Sequence, residues 1–515
     1  MENIYSYHTF ILPFVWKDDR NTAKTFDDFT DVFEKNPYWS CHDPKDENGF
    51  NDIDNVFSYY AEYQYFYPQI RSALYGFDEK IVKTYHFAHD KVHNLAHYYI
   101  KKGGRTYDLL INSINLKIYN TGIALFVMEC ENHGTGKDGK PQNNLNDVKN
   151  INDYGRRINL PFIPENPDWS ICADSLEICI PGMATYKTDF RTYIEKVAAS
   201  REKKNLIHLN YLCSFIKEIL GFSGENKFSS KLSDDPKSVF IHPALDDRMF
   251  VACLTTDKDA TEKFLGSEKD KGKYAFDTDE LLSKSLYEFI FIDNTKNCCS
   301  CTCKEMRHKL LDEHIYKRWL ESGSIYGVAA QSLVLLFDGG FTPMIGSFLT
   351  IYVRMACLCL AQRASLMLFQ KETADISRFI HEKENKISLA TVTKLMDLQE
   401  RFSAFESQIC FKEITPQEQG IEMYSMFMES FFIEKELENV KSQIDGLHDA
   451  TDTYLDFGFN KIALIFTFVG AILAFSGPVI MPNGFDQFGW IAPLVGLVLG
   501  PIAALVIVFL YRRRR

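Results

Sequence analysis

Cysteine and histidine supply the first groups in this chain whose spacing could do chemistry. The run Cys298-Cys299-Ser300-Cys301-Thr302-Cys303 is followed by His308 and His314. Cys298 and Cys301 form a C-x-x-C pair, and Cys303 with His308 would complete a four-ligand set of the kind that holds zinc through thiolates. No second, distant pair accompanies them, and simple thiols are the alternative. His86, His89, His93 and His97 are three and four residues apart, so a helix would stack them where imidazoles could share a metal. Ile81 to Phe87 also alternates like a strand, which would dissolve that face. Gly134-Thr135-Gly136-Lys137-Asp138-Gly139-Lys140-Pro141 follows a phosphate-binding loop up to its last position, where a hydroxyl residue should meet magnesium. Pro141 has neither hydroxyl nor N–H, so a hairpin loop is expected instead. Nucleophile elbow, kinase set, zincin helix and dinucleotide fingerprint are all missing, and no enzyme is expected.

A second group of residues suggests cation handling. Asp445, Asp449, Asp452, Asp456 and Asn460 recur at turns of three and four, and Ala463, Thr467, Gly470, Ala471, Ala474 and Gly477 continue the series as small or polar residues. In a symmetric oligomer such a face would put carboxylates, then an amide and a hydroxyl, around one path, concentrating cations by Coulomb attraction. Close helix packing and solvated acidic residues are the plainer readings.

These residues must be positioned by the elements around them. Tyr107 to Asn120 alternates apolar and polar, Thr121-Gly122 interrupts it, and Ile123 to Glu129 resumes with β-formers, which predicts a hairpin. Strands are expected at Arg248 to Thr255 and Ile325 to Phe337, with a helix from Asn205 to Leu220. Asp257 to Lys273 is charged and predicts a solvated excursion or lid. From Phe341 the pattern turns helical, over Ser347 to Lys371 and Ile387 to Phe411. Pro416 then opens a stretch without another proline until Pro478, a rod of about 90 Å at 1.5 Å per residue. Ile433, Leu437, Val440, Ile444, Leu447 and Tyr454 space out as a bundle or coiled-coil seam, interrupted at Thr451.

The C-terminal end sets the class. The 515 residues hold 57 basic and 69 acidic side chains, a net −12. From Asp456 onward there are five basic and two acidic residues, leaving −15 for residues 1–455. The acidic balance and the lack of a basic stripe argue against direct nucleic-acid binding. Residues 462–485 and 487–511 carry no formal charge, and each is long enough to cross a bilayer that needs about 20 helical residues. The short turn 481–489 makes the two spans a hairpin, and Arg512 to Arg515 place both ends in the cytoplasm. Met1 to Trp16 has no basic start and does not read as a signal peptide. The 13 cysteines are therefore expected as thiols or metal ligands.

The expected class is an α+β cytosolic domain followed by long stalk helices and a two-helix transmembrane hairpin. Residues 1–340 would form the α/β sensing domain and 341–460 the helical stalk. Residues 461–511 would form the spans, and 512–515 a basic tail.

This plan resembles the CorA metal-ion channels, which are homopentamers with the first span lining the pore. The likeness covers Phe341 to Arg515, and the larger, diverged CorA-like proteins are also similar at Thr121-Gly122-Ile123-Ala124-Leu125, Ile151-Asn152-Asp153-Tyr154-Gly155-Arg156-Arg157, Ile325-Tyr326-Gly327 and Ala361-Gln362-Arg363-Ala364-Ser365-Leu366. The departure is at the signature: Gly-Met-Asn in the family, Met481-Pro482-Asn483 here, with only the asparagine kept.

The resemblance implies a multi-pass inner-membrane channel of identical subunits, five by family rule, carrying a divalent cation such as magnesium as permeant or regulatory ion. Asp449, Asp456, Asn460, Ala463, Thr467, Ala471 and Ala474 would line the pore. Proteins of this build also occur as membrane effectors of type III CRISPR defence, which implies a nucleotide second messenger acting on the cytosolic part. Arg156, Arg157, Arg354 and Arg363 are then the candidate donors to that anion, with subunit bridging or neutralisation of the acidic domain as the alternative. A housekeeping divalent transporter and a pore-less membrane tether are the other functional classes.

Overall fold

The computed structural model describes residues 4–17, 25–41, 64–76, 80–158, 171–190, 214–221, 230–231, 240–266, 274–293, 299–382 and 389–480. The chain divides into two compact units, Met1–Leu368 with Phe402–Leu437, and Phe369–Arg401 with Glu438–Arg515.

The first unit is built on one 14-stranded sheet. Its strands are β1 (Ser6–Val15), β2 (Trp39–Cys41), β3 (Val82–Phe87), β4 (Ala96–Lys102), β5 (Arg105–Tyr119), β6 (Ile123–Asn132) and β7 (Ser175–Cys179). They continue with β8 (Tyr186–Asp189), β9 (Ser230–Lys231), β10 (Phe240–Pro243), β11 (Phe250–Thr256), β12 (Ile315–Tyr316), β13 (Ser324–Ala329) and β14 (Ser332–Phe337). The main path runs β12-β13-β14-β11-β1-β6-β5-β4-β7-β8.

β1 lies inside this sheet, and its unbroken apolar run suits a strand covered on both faces. One edge of β1 pairs with β6 throughout, while the other passes from β11, up to Ile11, to β10, from Phe14. Pro13 sits in that gap, where its missing N–H costs no ladder bond. β5 behaves in the same way. It pairs with β4 over Arg105 to Ile111 and with β3 over Asn115 to Tyr119, and a bulge between Ile111 and Ser113 marks the change. The expected β5–β6 hairpin is present.

Helices of this unit are α1 (Phe26–Glu34), α2 (Pro68–Tyr75), α3 (His89–Val92), α4 (Leu145–Arg156), α5 (Ser214–Ile219), α6 (Lys258–Leu265), α7 (Ala275–Thr278), α8 (Glu280–Ile290), α9 (Lys304–His314) and α10 (Pro343–Ser347). A π-turn, Phe348–Tyr352, leads into α11 (Val353–Glu382), followed by α12 (Leu389–Gln408), α13 (Glu418–Ser430) and α14 (Ile433–Ile480). α11, α12 and α14 extend into the second unit.

Several expectations need correction. Ile325 to Phe337 is two antiparallel strands, β13 and β14, joined at Ala330-Gln331, and β14 pairs in parallel with β11. The charged stretch after Asp257 is not a loop over its first half. Asp257 accepts from the Ala260 N–H at 2.8 Å and caps α6, whose charges face outward while Thr261, Phe264 and Leu265 are buried. Residues 267–273 lie outside the described residues. Of the helix expected at Asn205 to Leu220, only Ser214–Ile219 is described. The boundary expected at 340 also moves, because Ala364 and Leu368 of α11 pack on Val15 and Ile123 and bind this helix to the sheet.

Among the described residues one helix, Pro343–Ile380, is long and apolar enough to cross a membrane. With 67% of its most apolar window buried inside the protein, it reads as a core helix. The rod expected from Pro416 to Pro478 is broken at Phe431-Phe432 into α13 and α14. α14 runs on through the first apolar segment to Ile480. The turn 481–489, the second span and the basic tail lie outside the described residues.

In the second unit, Arg401 bridges Glu372 and Asp397, the latter at 3.0 Å, and lies over the Phe369 ring. On α14, Val440, Ile444 and Thr451 are buried. Thr451, expected to interrupt the seam, is part of it, with its hydroxyl turned back to Leu447 O at 2.7 Å.

Candidate ligand cleft

The site begins with α4, whose sequence ends Ile-Asn-Asp-Tyr-Gly-Arg. Asn144 caps its start by accepting from the Asp147 N–H. Near its end a Cβ on Gly155 would come within 3.1 Å of Phe10 and Ile100. Glycine therefore lets the helix approach β1 and β4, and the Tyr98 hydroxyl donates to Gly155 O at 2.8 Å. That close approach drives the polar side chains of Asn152, Asp153 and Arg156 into the protein, where burial requires partners.

Arg157 meets Asp153 through Nε and Nη2 at 3.0 and 2.8 Å. Arg156 donates from Nη1 to Gln331 Oε1 at 2.8 Å and from Nη2 to Ile292 O at 2.7 Å, and its Nε lies 3.8 Å from Asp153. Burial pushes the Arg156 guanidinium down to about 9, opposed by Asp153. Burial also holds the Asp153 carboxyl above its ordinary range, against the pull of Arg157 and Arg156.

The loop before β11 adds the other half. Arg248 forks onto Asp246 at 3.0 and 2.7 Å, and Gln331 donates its amide to the same carboxylate. Burial opposes ionisation of Asp246, but Arg248 and the hydrogen bond with Asp247 outweigh it and hold this carboxyl below the usual range. Asp247, buried and sharing that hydrogen bond, is pushed up to about 7.

Arg156, Arg157, Arg248 and Gln331 line a cavity of about 570 Å³. An aromatic wall completes it, with Tyr287 stacked on Phe291 at 4.5 Å and His314 edge-on to Phe291 at 5.0 Å. Asp293, Glu313 and Glu429 also contribute to the lining. Three guanidiniums facing three carboxylates beside a planar wall suit a ligand with an anionic group, hydrogen-bond donors and a flat ring. Each arginine already holds a carboxylate or amide, so an incoming anion must displace one. Such a ligand would have to rearrange the Asp246–Gln331–Arg156 chain on entering.

Beneath α4, His8 Nδ1 lies 2.7 Å from Asn152 Oδ1 and Nε2 lies 2.9 Å from Ser6 Oγ. Asn132 donates to Ser6 and accepts from Gln142, which fixes a neutral ring with its proton on Nδ1. Burial pushes His8 down to about 4, from about 6.5 in an unfolded chain. The unfolded state therefore binds the extra proton between these values. The contribution is intact above pH 6.5 and is lost as pH falls to 4, by about 3 kcal/mol. The denaturant midpoint should drop over that window. His8→Gln, which keeps an amide partner for Asn152, should flatten the drop, and an equal drop in this variant would remove His8 as its source.

Of the other predicted anion donors, Arg354 lies over the Tyr75 ring at 5.1 Å and Arg363 over Phe431 at 5.8 Å. Neither lines the cleft. The sequence does not single out Asp246, Asp247 or Gln331, and Arg248 enters it only as the start of a strand, although Asp-Asp-Arg ahead of a strand is a signal.

Cys298 lies outside the described residues. Cys301 and Cys303 point their thiols along the chain, toward Cys303 O at 3.7 Å and Glu305 at 3.4 Å. Their loop is organised by the fully buried Arg307, which donates to Cys301 O at 2.7 Å and Ser283 at 3.0 Å and pairs with Glu280. His308 follows one residue later on α9. Among the described residues no three His, Cys, Asp or Glu side chains are grouped to hold a metal.

The four histidines do not share a helix: His86 is on β3, His89 on the four-residue α3, His93 after it, and His97 on β4 against Asp108 at 2.7 Å. His89 and His93 stack at 5.2 Å. The phosphate-loop look-alike is a tight turn. Its amides are taken internally, Gly136 N by Lys140 O, Gly139 N by Gly136 O and Lys140 N by Asp138.

Asp449, Ala463, Thr467 and Gly470 are exposed on α14, and the Thr467 hydroxyl donates to Ala463 O at 2.8 Å. Asp456, Asn460, Ala471 and Ala474 lie on the same helix, with side chains outside the described set. Met481, Pro482 and Asn483 lie beyond the described residues. No protein-family model, curated protein or solved structure matches this chain.

Proposed function

We propose that this chain is a CorA-like homo-oligomeric cation channel of the inner membrane, most simply a pentamer, in which the α/β unit responds to a nucleotide second messenger as part of type III CRISPR defence. The observation that carries the reading is α14. Its 48 residues span about 72 Å, more than twice a hydrocarbon core of about 30 Å. Asp449, Asp456 and Asn460 lie along it in series toward the uncharged segment 462–485, and Thr467 continues the series inside that segment. Ile465, 49% exposed, and Ala463 and Gly470 present apolar surface on a single chain. Lipid or further copies of the chain would cover such a surface. In this reading the activator would bind in the arginine cleft, whose Arg156, Arg157 and Arg248 suit an anion.

The full chain reconstituted in liposomes should pass cations. Neutralising Asp449 and Asp456 together as Asn should lower flux at least about tenfold at low salt, because the carboxylates concentrate the permeant ion. Asn483→Ala should change selectivity or rate. Nucleotide and magnesium, added separately, distinguish a signal-gated channel from a housekeeping transporter. Absence of flux under every addition would leave a membrane tether.

A further inference from the structure

The junction of α13 and α14 ends one helix and begins another on a residue suited to neither task. Phe432 has φ +56°, the left-handed conformation that glycine or asparagine normally supplies after a helix C-cap. It also precedes the first residue of α14, where a Ser, Thr, Asp or Asn would cap the free amides. No glycine or proline occurs between Gly420 and Gly446 to require a break.

The kink is held by its neighbours. Phe431 and Ile433 are fully buried, and Phe431 packs edge-on to Phe250 at 5.9 Å and tilted on Phe427 at 5.8 Å. Phe432 itself is 58% exposed. Cavities of about 570 and 500 Å³ flank the junction, and Glu429 and Phe432 line both. A strained residue between two anchors, with open space on either side, has room to change conformation.

We propose that Phe432 is a two-state joint. In the state described here it is left-handed and separates α13 from α14; in the other it is right-handed and the two helices run as one. The arginine cleft is one of the two flanking cavities, so a ligand filling it biases the joint through Glu429 and Phe432. This regulatory role rests on the channel reading, since α14 carries the segment assigned to the pore, whereas the two states of the joint do not.

The test places spin labels, carried by non-canonical residues because native cysteines compete, at Ile421 and Lys435 of the full chain. In a continuous helix these positions share a face and lie about 21 Å apart. Phe432→Gly and Phe432→Asn tolerate the left-handed state and should show the kinked distance as the main component, with a small straight one. Phe432→Ala keeps the left-handed penalty and favours helix, and should raise the straight-to-kinked ratio about thirtyfold over the glycine variant. Far-UV circular dichroism checks that each variant is folded.

One unchanged distance in all variants, or no component near 21 Å in the alanine variant, would overturn the joint. Distances that shift as expected without any ion flux would uphold the joint and end the channel reading. Flux without a shift would do the reverse.

Discussion

Asp153→Ala is expected to destabilise the α/β unit by about 3–5 kcal/mol, the usual cost of removing one partner from a buried ion pair. Asp153 is 1% exposed and faces Arg157 at 2.8 Å and Arg156 at 3.8 Å, and both arginines are buried. Truncation removes the carboxylate that these two buried guanidiniums share. The cost should shrink when Arg157→Met is added, because a cation then leaves with its partner, and the double-mutant cycle isolates their coupling. Chemical denaturation at pH 7 measures both quantities. A single-variant loss under about 1 kcal/mol would mean that the network is solvated like a surface pair.

Gly122→Val is expected to do comparable damage for a different reason. Gly122 has φ +106°, and a Cβ there would stand 2.7 Å from Lys17 Cβ and 2.8 Å from Leu368 Cδ2. Left-handed strain of about 1–3 kcal/mol adds to overpacking of similar size, for a total on the order of 3–5 kcal/mol. The same turn carries Thr121, whose hydroxyl meets Ser365 at 2.8 Å, so the damage should spread to the α11 contact. Gly139→Ala is the control. It shares a positive φ but has nothing within 4 Å of the added carbon, and should cost only about 1 kcal/mol. Equal losses at the two positions would show that crowding against α11 is unimportant.

What could be read from the residues followed the strength of the local signal. The β5–β6 hairpin is legible because Thr121-Gly122 separates the alternating run Tyr107 to Asn120 from the β-formers of Ile123 to Glu129. The β13–β14 hairpin is not, since Ala330-Gln331 contains none of the usual turn residues and the apolar run passes through it. From sequence, α6 reads as part of a solvated excursion or lid because its outward charges outnumber Phe264 and Leu265, the residues that fix it to the core. The rod reads as unbroken through Phe432 because an aromatic residue gives no warning of a left-handed backbone. Arg156-Arg157 stood out beside a glycine, but their partners did not. Asp246 and Gln331 are some 90 and 175 positions away, and only the sheet brings them to α4.

The pairing of β1 with β11, a strand some 240 residues downstream, has a consequence for biosynthesis. β1 cannot be enclosed until the some 240 residues up to the end of β11 have followed it, and the unit to which it belongs also needs Phe402–Leu437. Such long-range closure is slow and leaves apolar strands unprotected meanwhile. The α/β unit can therefore be completed only as the uncharged segment 462–485 is about to emerge, so that two stretches of unprotected apolar chain call on chaperones in the same short interval of translation.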